Sequence, residues 1–188
     1  MSNIFETETK IKQIIDELKA LSAQAGLANQ GEEERIITSV FLYKFLNDKF
    51  MYNLSKFAEE IGETIEEILK NENDELDAFY DTTSGDVAFG YEDTIQYLIN
   101  HVEQADFYKQ FDDALVRIAQ NTRNDIFAVE TAEGSYRPLF EAISTPVEPS
   151  NRNNFAKNIF GIIAQTGYVF VKLKSHLGCR AYRACCLS

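Results

Sequence analysis

The sequence predicts a mainly α protein, a multi-helix bundle around one long central helix, with room for one short β-hairpin. Three observations carry this prediction. Residues 35–61 are apolar almost all round in the first half and apolar on one side in the second. Further segments repeat apolar residues three and four apart, the helical period. Strand-like composition near a turn is confined to residues 126–140 and to a short run after residue 166.

The long helix is the clearest element. Ile36, Ile37, Val40, Phe41, Leu42, Tyr43, Phe45 and Leu46 crowd its start, so deep burial is expected there, Phe41 and Phe45 included. Phe50, Met51, Leu54, Phe57, Ala58 and Ile61 then recur on one side, with Asp48, Lys49, Lys56, Glu59 and Glu60 elsewhere. At 1.5 Å per residue the segment spans roughly 35–40 Å. Glu32, Glu33 and Glu34 suit the positive end of the helix dipole. Gly62 suits a left-handed cap. Asn47 projects onto the face of Ile36, Val40, Phe50 and Leu54. It is either a helix-edge or hydrogen-bonded core amide, or a register or partner contact.

The other elements follow in chain order. Ile11, Ile14, Ile15, Leu18 and Leu21 predict an amphipathic helix over about residues 5–25, stopped by Gly26. Thr64 and Glu67 match a capping box and open a short helix with Ile65, Ile68 and Leu69 inward. The polar run 71–75 ends it, and residues 79–90 read as an irregular connection. Gly85 and Gly90 have the spacing of a phosphate loop, but Tyr91 and Glu92 stand where a Lys and a hydroxyl residue belong, so a connecting loop is the better reading. Tyr91, Ile95, Leu98, Ile99 and Val102 predict one helix, and Asp106 caps another with Phe107, Phe111, Leu115 and Ile118 inward. Residues 121–125 are a turn cluster. Residues 126–129 and 136–140 are the candidate hairpin, with Pro138 confining the second strand to an edge. Residues 146–149 read as an extended linker. A last helix has Phe155, Ile159, Ile162 and Ile163 inward, capped by Asn151, Asn153 or Asn154.

Composition narrows function more by exclusion than by indication. The 188 residues suffice for one domain with ample core. The net charge is −12, so a general basic surface for nucleic acid is excluded, and any DNA contact needs a local cluster or a basic partner. Local candidates for a partner or DNA contact are Lys44, Asn47, Lys49, Arg117 and Arg123. For the cations the competing reading is pairing with Asp48, Asp113 and their neighbours. His101 reads as a structural histidine, since no second ligand type stands at a metal spacing. No catalytic set and no metal site is predicted. The three cysteines, Cys179, Cys185 and Cys186, all fall near the end, and the body has none, as expected in a reducing cytosol. No secretory leader and no membrane span is expected.

Residues 40–50, Val-Phe-Leu-Tyr-Lys-Phe-Leu-Asn-Asp-Lys-Phe, resemble the signature of the N-terminal helical domain of type I restriction–modification DNA methyltransferase subunits. The resemblance covers roughly residues 5–165. It implies a domain that packs beside a catalytic domain, helps close the complex around DNA, and meets the specificity subunit or a second methyltransferase subunit. The full-length parent enzymes are adenine-N6 methyltransferases using S-adenosylmethionine. The glycine-rich cofactor motif and the Asn-Pro-Pro-aromatic base pocket of the parent are both missing, and the only prolines are Pro138, Pro146 and Pro149. The resemblance therefore implies a cytoplasmic domain that has no cofactor and no activity of its own and meets DNA only within the complex. The alternative is a free-standing acidic helical binding protein, either a DNA mimic or an adaptor.

Near residue 165 three changes coincide. Residues 166–188 hold Lys172, Lys174, Arg180 and Arg183 and no acid, +4 in all, which leaves −16 for residues 1–165. Every cysteine appears there, and the helical period lapses. A domain of residues 1–165 followed by a frame-shifted or prematurely ended tail accounts for all three. The competing reading is a C-terminal strand at 168–171, whose Tyr-Val-Phe-Val composition suits one. Deleting residues 166–188 is expected to leave the helical circular-dichroism signal intact and the melting point within a few degrees, about 1 kcal/mol for this size. Unfolding or aggregation of the truncated chain would show that the tail fills part of the core.

Overall fold

The computed structural model describes residues 2–28, 31–70, 74–83, 85–127, 129–130 and 136–165. The tail 166–188, with all three cysteines and His176, lies outside the described residues. Among the described residues seven helices pack together: α1 (Ser2–Gln24), α2 (Gly31–Ile61), α3 (Ile65–Lys70), α4 (Asp74–Thr82), α5 (Ile95–Leu98), α6 (Phe107–Gln120) and α7 (Arg152–Gln165). The expected mainly α bundle around a long helix is what the chain forms. α1 lies against α2 and α7, and α7 also lies against α6 and α2.

α2 takes in the three glutamates expected at its start, which occupy its first turn. Its 31 residues give roughly 45 Å of axis. Gly62 has φ +78, and the Gly62 and Glu63 amides both donate to the Ala58 carbonyl. That left-handed end costs a glycine little and any other residue more. The core face of α2 is Ile36, Val40, Tyr43, Asn47, Phe50 and Leu54, all buried. Phe41 and Phe45, expected deep, are half-buried, as are Ile37 and Leu42. Apolar composition on every side located the helix but did not rank its faces.

Aromatic rings fill the interior on both sides of this stripe. Tyr43 meets Phe111 at 5.6 Å and Phe89 at 6.1 Å between ring centres. Phe50 meets Phe89 at 5.2 Å and Phe79 at 5.6 Å. Phe160 of α7 stands edge-on to Phe107 and Phe111 of α6. Such pairs add about 0.5–1.5 kcal/mol each beyond area burial.

The capping box at Thr64 is present. The Glu67 amide donates to Thr64 Oγ1, and the Thr64 amide donates to Glu67 Oε2 at 3.0 Å. Three sequence expectations need correction. Residues 74–82 form α4, across the end of the polar run 71–75 and the start of the irregular connection expected from 79, because Leu76 and Phe79 are buried and Asp74, Glu75 and Asp77 favour its N-terminus. The single helix expected over residues 91–102 is a 3₁₀ turn (Tyr91–Asp93), α5 and further turns. Thr94 makes the break: it is extended at φ −79, ψ 149, donates its hydroxyl to the Tyr91 carbonyl and accepts from the Tyr97 amide. Ile99, placed on the inner stripe by sequence, is 48% exposed. Finally, residues 146–149 turn rather than extend, because Val147 is buried and its amide donates to Ser144.

The expected hairpin is a two-residue antiparallel ladder, Val129–Glu130 with Tyr136–Arg137, in the register Val129 to Arg137 and Glu130 to Tyr136. Ile126 belongs to a 3₁₀ turn, Thr122–Phe127, so the first strand starts later than its composition suggested. The loop 133–135 lies outside the described residues.

Phe111 is fully buried among Tyr43, Phe107 and Phe160. Phe111→Ala is therefore expected to cost about 3–5 kcal/mol in urea melts. Lys56→Ala, on the exposed side of α2 over the Tyr52 ring, should stay within about 0.5 kcal/mol. Similar losses for the two would show that the aromatic interior does not dominate stability.

Candidate functional site

The segment 40–50 lies at the centre of the fold, and each polar side chain from Tyr43 to Lys49 has a structural partner. The Tyr43 hydroxyl donates to the Asp93 carbonyl at 2.8 Å. Asn47 Oδ1 accepts the Ile95 amide at 3.0 Å, so the amide at the start of α5 is satisfied from α2. Lys44 donates to Asp48 Oδ1 at 2.8 Å, one helical turn apart, with side chains only 8% and 2% exposed. Lys49 pairs with Asp86, which also accepts from Asn53 Nδ2 at 2.9 Å. The loop that sequence spacing compared with a phosphate loop is thus tied to α2 by a carboxylate.

The two arginines have partners as well. Arg117 of α6 grips Asp93 Oδ1 through Nε at 2.8 Å and a second guanidinium nitrogen at 2.7 Å. Arg123 reaches Asp77 at 2.7 Å and Asp81 at 3.6 Å on α4, with its guanidinium 5.0 Å from the centre of the Tyr80 ring. Arg117 and Arg123 are 45% and 42% exposed, whereas Lys44 and Asn47 are buried. Asp113, named by sequence as a pairing partner, has no ion pair with either arginine among the described residues; Asp93, Asp77 and Asp81 take that place.

Several polar anchors gave no signal in the sequence. Asn124, in a segment read only as a turn, is buried and bonds the Ala88 amide, the Ala88 carbonyl and the Ile118 carbonyl. Asp112 accepts the Ile143 and Ser144 amides and the Ser144 hydroxyl. Asp106 precedes α6 but makes no side-chain cap; Asn153 of α7 accepts the Tyr108 amide at 3.1 Å instead. Apart from the Ile118 carbonyl, six residues from Asn124, these partners lie tens of residues apart, so no local spacing announces them. His101 is structural in the described fold: Nδ1 sits 2.9 Å from the Tyr97 carbonyl and its ring stacks on Tyr97.

Burial sets the electrostatics. It pushes the Asp48, Asp93 and Asp112 carboxyls above the usual carboxylate range, against the opposing pull of Lys44, Arg117 and Ser144 respectively. Burial, with Asp93 second, also raises the Tyr43 phenol well above its ordinary value. Asn47 Nδ2 and Asp48 Oδ2 are buried with no hydrogen-bond partner among the described residues. Among the described residues no group of three or more His, Cys, Asp or Glu is placed to hold a metal ion. No helix among them is long and apolar enough to cross a membrane. The arrangement can hold elements together and present charge.

No protein-family model, no curated protein and no solved structure matches the chain.

The three raised carboxyls give stability a definite pH dependence. A carboxyl with a higher pKa folded than unfolded binds more protons in the fold, so stability falls as pH rises through that interval. Urea midpoints are expected to climb as pH is lowered from 7 toward the unfolded carboxylate value near 4. Asp112→Asn, which keeps the oxygen that accepts the two amides, should flatten the slope. A midpoint that falls steadily over this range, or an unchanged slope in the variant, would contradict this.

Proposed function

We propose that this chain is the N-terminal helical domain of a type I restriction–modification DNA methyltransferase subunit, serving subunit assembly and closure of the complex on DNA. One observation carries the reading. The segment that resembles the family signature, residues 40–50, is the part of α2 whose polar residues hold the fold together. A signature of fold-holding residues marks a domain type, so a resemblance that is sharpest in that segment is informative about the whole domain. On this reading the parent's S-adenosylmethionine chemistry belongs to a catalytic domain outside this chain. The partners are the specificity subunit and a second methyltransferase subunit, and DNA is met only inside the complex. Of the residues proposed for contact, Arg117 and Arg123 reach the surface furthest, each already oriented by a carboxylate.

A second reading, a free-standing acidic binding protein, is favoured by the exposed acids Glu59, Glu60, Glu66, Glu67, Asp74 and Asp77 on the end of α2, α3 and α4. A DNA mimic needs such acids in duplex-like rows, and it needs no methyltransferase partner.

The two readings separate in a reconstitution. Mixed with a type I specificity subunit and a methyltransferase subunit lacking its N-terminal domain, the chain is expected to co-elute and to restore adenine methylation. Alone it should give no calorimetric heat with S-adenosylmethionine at micromolar concentrations. Failure to join that complex, together with tight capture of an unrelated basic DNA-binding protein, would favour the mimic. Micromolar cofactor binding by the isolated chain would defeat both.

A further inference from the structure

We draw no further inference here: the strongest candidate, the surface patch at Ile99 beside the half-buried row of Tyr91, Tyr97 and His101 in the turns around α5, carries nothing because nothing in the structure shows what covers it.

Discussion

The hydrogen bond from the Ile95 amide to Asn47 Oδ1 is the constraint on which the described fold turns. A helix start has orphan amides that must find acceptors. Here the acceptor for Ile95 comes not from the preceding loop but from the buried face of α2, 48 residues earlier in the chain. One turn away on α2, Tyr43 holds the Asp93 carbonyl from the same side. Arg117 of α6 then grips the Asp93 carboxylate from the surface. The segment 91–98 is thereby clasped between the long helix and α6. Its buried residues, Ile95 and Leu98, close over the aromatic interior. Buried polar groups of this kind stabilise little in net energy, but they penalise every alternative packing that leaves them unpaired.

The elements legible in the sequence were those whose causes are local. Apolar residues three and four apart located α1, α2, α6 and α7, and the pair Thr64 and Glu67 located the start of α3. What stayed illegible depends on distant partners. α4 was hidden because its acids look like a loop until Leu76 is buried and Phe79 meets Phe50 and Phe57. The break at Thr94 was hidden because Tyr91, Ile95, Leu98, Ile99 and Val102 keep helical spacing across it. The tertiary bonds to Asp93 and Ile95 favour a 3₁₀ turn and a reset over one continuous helix. For the candidate contact residues, the sequence offered residue types without their geometry. Asn47 is buried with its Oδ1 on the Ile95 amide, and each of the four cations has a carboxylate beside it.

Those pairings bear on how an acidic domain can be built. With −16 over residues 1–165, the cations are scarce, and several of them tie elements together. Lys49 secures the loop before Phe89, Arg117 secures the 3₁₀ turn, and Arg123 secures α4. Much of the unpaired negative charge is left on the surface, where it is solvated and long-ranged. On the proposed assembly role, such a surface selects basic partners and disfavours premature contact with DNA. Asp48, Asp93 and Asp112 are different in kind. Their burial raises the cost of ionisation, and their bonds to Lys44, Arg117 and the 143–144 amides are what keep them inside.

The most direct measurement is native-state hydrogen exchange at the Ile95 amide in the natural chain and in Asn47→Ala. If Asn47 anchors segment 91–98, Ile95 exchanges in the natural chain only through large-scale unfolding, with protection close to that of Phe111 in α6. In Asn47→Ala its protection drops by orders of magnitude more than that of Phe111. Fast exchange at Ile95 in the natural chain, or equal loss of protection at both amides in the variant, would show that the clasp is not what holds this segment to the long helix.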